Sequence, residues 1–158
     1  MTLPTYRKIL LTHDGSKLAS DAISHAISLA KAYRAQIILL HVVHSIDQEL
    51  AFYATPGMYP AVLGTAANGI VEENKKLALK KMTKIADTII EQKRKVTVVV
   101  KDGSAQNLIV DVAKSQKCDL IVMSTHGRGG IGRAFLGSVT DHIIRHAHCP
   151  VFIVHPKT

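Results

Sequence analysis

The stretch "DLIVMSTHGRGGIGRAFLGSVTDHIIRHAHCPVFIV", Asp119–Val154, decides the fold. It begins with an apolar run of strand-forming residues, "DLIVMS" (Asp119–Ser124). Five of the fifteen positions from Ser124 to Ser138 are then glycine, and two are arginine. Leu136, Val139, Ile143, Ile144 and Ala147 follow at the three- and four-residue spacing of an amphipathic helix. A second apolar run, "PVFIVH" (Pro150–His155), closes the stretch. The strands are apolar at nearly every position and not at alternate ones. That pattern belongs to strands buried on both faces, so strand, helix, strand reads as one crossover of a parallel sheet.

The same rhythm runs outward to the N-terminus. Further strand-like runs are "KILLTH" (Lys8–His13), "QIILLHVV" (Gln36–Val43) and "KVTVVVK" (Lys95–Lys101). Between them lie amphipathic faces: Ala19, Ala22, Ile23, Ala26, Ala30 and Tyr33; Ala78, Met82, Ile85, Ala86 and Ile89; Leu108, Ile109, Val112 and Ala113. The order βαβαβαβαβ specifies an α/β fold with a parallel sheet and right-handed crossovers. Ligands in such folds sit beyond the carboxyl ends of the strands, near the point where strand order reverses. One segment breaks the rhythm: Ser45–Gly69 carries two Pro, three Gly and two Tyr. It is expected to be a long connection, serving as a lid, a partner surface or a mobile segment.

Composition sets the class. The 158 residues suit a single domain spanning 1–158. Hydrophobic residues are 47% of the chain and aromatics only 4%, with no Trp, so the core must be aliphatic. Lys plus Arg is 20 against 12 for Asp plus Glu, a formal charge of +8. The basic residues are scattered. The dense runs "NKKLALKKMTK" (Asn74–Lys84) and "EQKRK" (Glu91–Lys95) fit the solvated face of one helix. With no nucleic-acid motif beside them, nucleic acid is not the expected partner. Cys118 and Cys149 border apolar runs and form no CxxC, which reads as reduced structural thiols. The start "MTLPTYRKILL" lacks a signal-peptide core, and no stretch approaches the roughly 20 apolar residues of a membrane span. A soluble cytoplasmic protein is expected.

The glycine segment offers bare amides that can converge on an anion, and the helix start at "GSVTDHIIRHA" adds unpaired N–H groups and partial positive charge. Two familiar phosphate loops almost fit. Gly127, Gly129 and Gly132 satisfy GxGxxG, but the following "AHCPVFI" lacks the acid that a dinucleotide site needs. Gly127 and Gly132 have the spacing of a P-loop, but Arg133 and Ala134 stand where it needs Lys and Ser or Thr. A third pattern fits better. "STHGRGGIGRAFLGSVTDHIIRHAHCPVFIV" resembles the C-terminal signature of the universal stress protein family, whose nucleotide-binding branch carries glycine, two residues, glycine, nine residues, glycine, then Ser or Thr. Here Gly127 is followed by the nine residues Arg128 to Leu136, then Gly137 and Ser138, while Ser124 replaces the first glycine. The resemblance spans the chain: "KILLTHDGSKLASDAISHAISLA", "QIILLHVV" and "DGSAQNLIVDVAKSQKCDLIVMSTHG" are similar to the family's first strand and helix, second strand, and third helix with fourth strand.

That resemblance implies an open five-stranded sheet of order 3-2-1-4-5 and a function as an ATP-binding regulator in stress response, with Mg or Mn on the phosphates. It implies that Asp14 faces the ribose and Thr12 stands at the same rim. Val42 and Met123 would contact adenine through their backbones. Gly127 would let the ribose and phosphates pass, with Ser124 leaving room for them. Gly137, Ser138 and Val139 would present amides to the phosphates, and Ser138 its hydroxyl. His126 and Arg128 lie in the same loop and are candidates for ligand contact. The family also implies a homodimer through the last strand. Two other functions stay open: an adaptor of the same fold that binds a protein partner and no nucleotide, which Ser124 in place of glycine keeps open, and a slow ATP hydrolase, against which the loop offers no carboxylate base. Asp14 in "HDGS" also reads as an ordinary turn. Of the nine His, His142 and His146 have a metal-compatible spacing but lack a third converging ligand, so no metal site is assigned. His41 reads as packed or hydrogen-bonded.

Overall fold

A computed structural model describes residues 3–17, 19–43, 61–125 and 137–155, with residues 61–68 described as backbone only. Five strands run β1 (Lys8–Thr12), β2 (Gln36–Val43), β3 (Val96–Asp102), β4 (Leu120–Ser124) and β5 (Val151–Val154). Among the described residues, four helices alternate with them: α1 (Ser20–Tyr33), α2 (Ala61–Glu91), α3 (Ala105–Ser115) and α4 (Ser138–His146). All pairings are parallel and the sheet order is β3-β2-β1-β4-β5, as the resemblance implies.

Apolar runs make this sheet because its strands are wrapped on both faces. Successive side chains alternate across a strand. Ile9 and Leu11 of β1, Ile37 and Leu39 of β2, and Leu120 and Val122 of β4 pack with Ala22, Ala26 and Ala30 of α1 and Met82, Ala86 and Ile89 of α2. Leu10, Ile38, Leu40, Ile121 and Met123 turn the other way, onto Ile109, Val112 and Ala113 of α3 and Ile143 of α4. A one-residue register slip would exchange the two sets, so the sequence fixes the pairing from both sides. The alanines of α1 are small, which lets its axis lie close against the sheet.

Three helix readings change in the structure. α2 begins at Ala61, so the C-terminal part of the Ser45–Gly69 connection is helical; residues 45–60 lie outside those described. Two of the connection's glycines, Gly64 and Gly69, fall inside this helix. Each costs about 1 kcal/mol against alanine, and the apolar face beginning at Val71 outweighs them. At the other end, "EQKRK" is not a helix face. α2 stops at Glu91, and Lys93 adopts the left-handed conformation with φ 58° while Gln92 and Lys93 donate to the Ile89 and Ile90 carbonyls. Ile144, counted on the apolar stripe of α4, is 46% exposed, while Ile143 is fully buried.

One ion-pair cluster fastens α2 to the sheet. The Lys75 ammonium donates to Asp102 at 2.7 Å and Glu72 at 3.0 Å. The Lys75 hydrogen bond holds the Asp102 carboxyl below its ordinary range, and Asp102 raises Lys75 in turn. Among the described residues, no helix is long and apolar enough to cross a membrane.

A candidate nucleotide crevice at the carboxyl edge of the sheet

Strand order reverses at β1, whose neighbours are β2 on one side and β4 on the other. The chain leaves β1 toward α1, and it leaves β4 toward α4. The carboxyl ends of β1 and β4 are therefore the switch point of the sheet, the place where ligands sit in a crevice in open parallel sheets.

On the β1 side, Thr12 ends the strand half-buried, and His13 keeps the sheet bonding with its N–H to the Leu40 carbonyl at 2.9 Å. The chain then turns sharply. Asp14 Oδ1 accepts the Ser16 N–H at 3.0 Å, and His13 Nδ1 accepts the Gly15 N–H at 3.0 Å. Gly15 has φ 85°, a conformation that side chains disfavour, so glycine is required there. Ser16 Oγ then accepts the Ala19 N–H at 3.2 Å and starts the approach to α1. The turn reading of Asp14 therefore holds: one carboxylate oxygen shapes the turn at the carboxyl end of β1.

On the β4 side, the end of the strand grips the start of α4. The Thr140 hydroxyl donates to the Thr125 carbonyl at 3.1 Å and reaches the Ser124 carbonyl at 3.4 Å. The Gly137 N–H also donates to Thr125 O, at 3.2 Å. Thr125 and Thr140 are both buried. Gly137 is the N-cap residue of α4, with no side chain to cap it. The first intrahelical bond runs from the Asp141 N–H to the Gly137 carbonyl at 2.9 Å. The amides of Ser138, Val139 and Thr140 therefore precede any intrahelical acceptor, as the first-turn donors of every helix do. Asp141 lies in the same first turn and is paired with Arg145. The Arg145 guanidinium holds it in a fork of 3.0 to 3.2 Å bonds and keeps its carboxyl below the usual range.

Most of the expected site residues meet along this edge. Thr12, Asp14, Met123, Ser124, Gly137, Ser138 and Val139 lie at the ends of β1 and β4 and the start of α4. Val42 lies one strand away, near the end of β2. Met123 is buried, and Val42 and Val139 pack on the core beneath α3 and α4. Only their backbones can address a ligand. His126, Gly127 and Arg128 lie outside the described residues. Thr140 and His13 were not anticipated. A buried hydroxyl three residues before Ile143 on the apolar face of a helix was the available signal for Thr140. His41 is buried, and its Nδ1 lies 2.6 Å from the His13 carbonyl. His142 and His146 stack at 4.1 Å, and no group of three or more metal-ligating side chains occurs among the described residues. Cys118 is buried and Cys149 half-buried, both as free thiols; burial pushes the Cys118 thiol up to about 11.

An open parallel α/β sheet with a glycine-capped helix at its switch point defines the class. Comparison with known proteins supplies the family: the universal stress protein family matches residues 5–155, and this chain belongs to it. Universal stress protein MJ0531 of Methanocaldococcus jannaschii is 35% identical over 151 residues, covering 94% of this chain and 82% of that relative. The solved structure of hypothetical protein MJ0577 superposes with a TM-score of 0.82 at 26% identity, covering 98% of this chain and 99% of that one. A universal stress protein family protein from Arabidopsis thaliana, solved with AMP bound, shares the fold at a TM-score of 0.61 and 20% identity, covering 98% of this chain and 94% of that one.

The Thr140 hydroxyl is predicted to hold the α4 start in place. Thr140→Val keeps the shape and deletes the donor. It should lower unfolding stability in urea by about 0.5–1.5 kcal/mol with an unchanged denaturant slope. Stability equal to wild type would show that the hydroxyl does not tie α4 to β4.

Proposed function

We propose that the chain binds ATP at this crevice and acts as a nucleotide-dependent regulator in stress response. The observation that carries the reading is the glycine-capped start of α4, held at the end of β4, the strand beside β1 from which the Asp14 turn departs. A phosphate oxygen suits first-turn amides that no side chain caps, and the helix dipole favours its charge. Gly137 lets the helix start sit close against the Thr125 carbonyl, and Ser138 adds a hydroxyl donor. Asp14, on the opposite wall, is an acceptor for ribose hydroxyls. The backbones of Val42 and Met123 are the adenine contacts in this reading, and Mg or Mn travels on the phosphates. AMP in the Arabidopsis relative supports an adenine nucleotide as the ligand class. The net charge of +8 also favours an anionic ligand. The proposed setting is the cytoplasm.

The same reading includes a homodimer through β5. This strand is an edge of the sheet. Val151 and Ile153 pack on one face and Val154 on the other, while Phe152 is 38% exposed beside His25, at 5.6 Å between rings. An apolar edge with no internal charge is poorly protected against pairing. A two-fold contact with a second copy covers it. Sedimentation should give a dimer at micromolar concentration, and a monomer there removes this part of the reading.

Asp14 provides the test of binding. Replacement by alanine would delete the Ser16 bond and the ligand acceptor together, so Asp14→Asn is the better variant: its amide oxygen can keep the turn. Calorimetric titration should show ATP and adenosine weakened alike, by about 1.5–3 kcal/mol, the range for a hydrogen bond to a charged group. Loss confined to ATP would move Asp14 from the ribose to the phosphates. Wild-type protein that binds neither ligand would leave the adaptor reading.

A further inference from the structure

The least expected feature of the crevice is the imidazole beneath it. His13 is 4% exposed, and its Nδ1 accepts the Gly15 N–H at 3.0 Å. An accepting Nδ1 carries no proton, so the neutral ring holds its proton on Nε2. That Nε2 is buried, with no hydrogen-bond partner among the described residues. The main chain of His13 is fixed on both sides, through its N–H to the Leu40 carbonyl at 2.9 Å and its carbonyl to His41 Nδ1 at 2.6 Å. A carbonyl only accepts, so His41 is the donor in that contact. The ring therefore hangs from a rigid strand end while Gly15 hangs from the ring.

We propose that His13 is a positioning residue of the nucleotide crevice: its neutral ring latches the Asp14–Gly15–Ser16 turn, and a proton on Nδ1 releases it. The inference rests on the nucleotide reading only for its consequence, weaker ligand binding at acid pH. The chemistry is mutually exclusive. Once Nδ1 gains a proton, it becomes a second N–H facing the Gly15 N–H, and both are donors. The turn must then open. Asp14 sits between the two latched residues, so its carboxylate moves with them. Opening one turn is a local event that needs no global unfolding.

The direction of titration agrees. Burial lowers the affinity of His13 for a proton, the Asp14 carboxylate raises it, and His41 lowers it again, for a net decrease from the ordinary histidine value. Among the described residues, the titratable groups acting on the ring are Asp14 from its own turn and His41 from β2; α1, α2 and β4 contribute none. The latch is therefore fully closed above the unfolded-state pKa of about 6.5 and is lost as pH falls through the lower folded value.

Two variants and two readouts test the latch. In His13→Asn the side-chain oxygen takes the place of Nδ1 and still accepts the Gly15 N–H, but it does not titrate. His13→Ala has no acceptor at any pH. Wild-type ATP affinity should fall about tenfold more than that of His13→Asn between about pH 7.5 and about pH 5, a difference of about 1.4 kcal/mol. Protonation of ATP affects both proteins and cancels in the comparison. His13→Ala should bind weakly throughout. The second readout needs no nucleotide: the Gly15 amide resonance should titrate with the His13 ring in wild type and stay still in His13→Asn. Parallel pH slopes in wild type and His13→Asn, or a Gly15 amide that ignores the His13 titration, overturns the inference. If wild type binds no ATP at about pH 7.5, the nucleotide reading fails, and the Gly15 amide still decides whether the latch exists.

Discussion

A parallel sheet buried on both faces delivers every strand end to the same edge, and the whole arrangement follows from that. Ile9, Leu10 and Leu11 of β1 are fully buried because β2 and β4 flank them and helices cover them above and below. β1 can be central only if its two neighbours are reached by crossovers in opposite directions. The carboxyl ends of β1 and β4 then part company, and the backbone there must find partners outside the ladder. His13 and Thr125 extend the sheet bonding by one residue each, to Leu40 and Val154. Beyond them, side chains take over.

Those side chains are few, and each bonds to backbone. Thr140 binds the carbonyls of Thr125 and Ser124, Asp14 the Ser16 amide, and His13 the Gly15 amide. Together they fix an acidic turn after β1 and a glycine-capped helix start against the end of β4. Gly137 illustrates how tight this is. Its φ of −60° is ordinary, so its glycine is not needed for backbone conformation. A Cβ there would lie 3.2 Å from the Thr125 carbonyl, so valine would press on the very group that anchors α4.

The sheet was legible because the runs of β1, β2 and β4 are buried on both faces, and β2 was bounded to the residue as Gln36–Val43. Helix faces were legible from spacing, except where an element's packing ends: Ile144 follows the period but lies beyond the reach of the sheet. The start of α2 was hidden because Pro56, Pro60, Gly64 and Gly69 signal a connection locally, and only the burial of Val71 and the residues after it explains the helix. In the crevice, Asp14, Gly137 and Ser138 were legible through their place in a pattern. Thr140 and His13 were not, because their roles depend on a carbonyl at the end of β4 and on Gly15 at φ 85°, neither of which has a sequence period.

The central claim is that the edge between β1 and β4 receives an adenine nucleotide. Amide shift mapping of isotopically labelled protein during ATP titration tests it most directly. The account predicts saturable shifts at Thr12–Ser16, at Ser124 and Thr125, and at Gly137–Thr140, with β3 and the exposed face of α2 unmoved. Saturable shifts confined to other surfaces, or none at any ATP concentration, would contradict it.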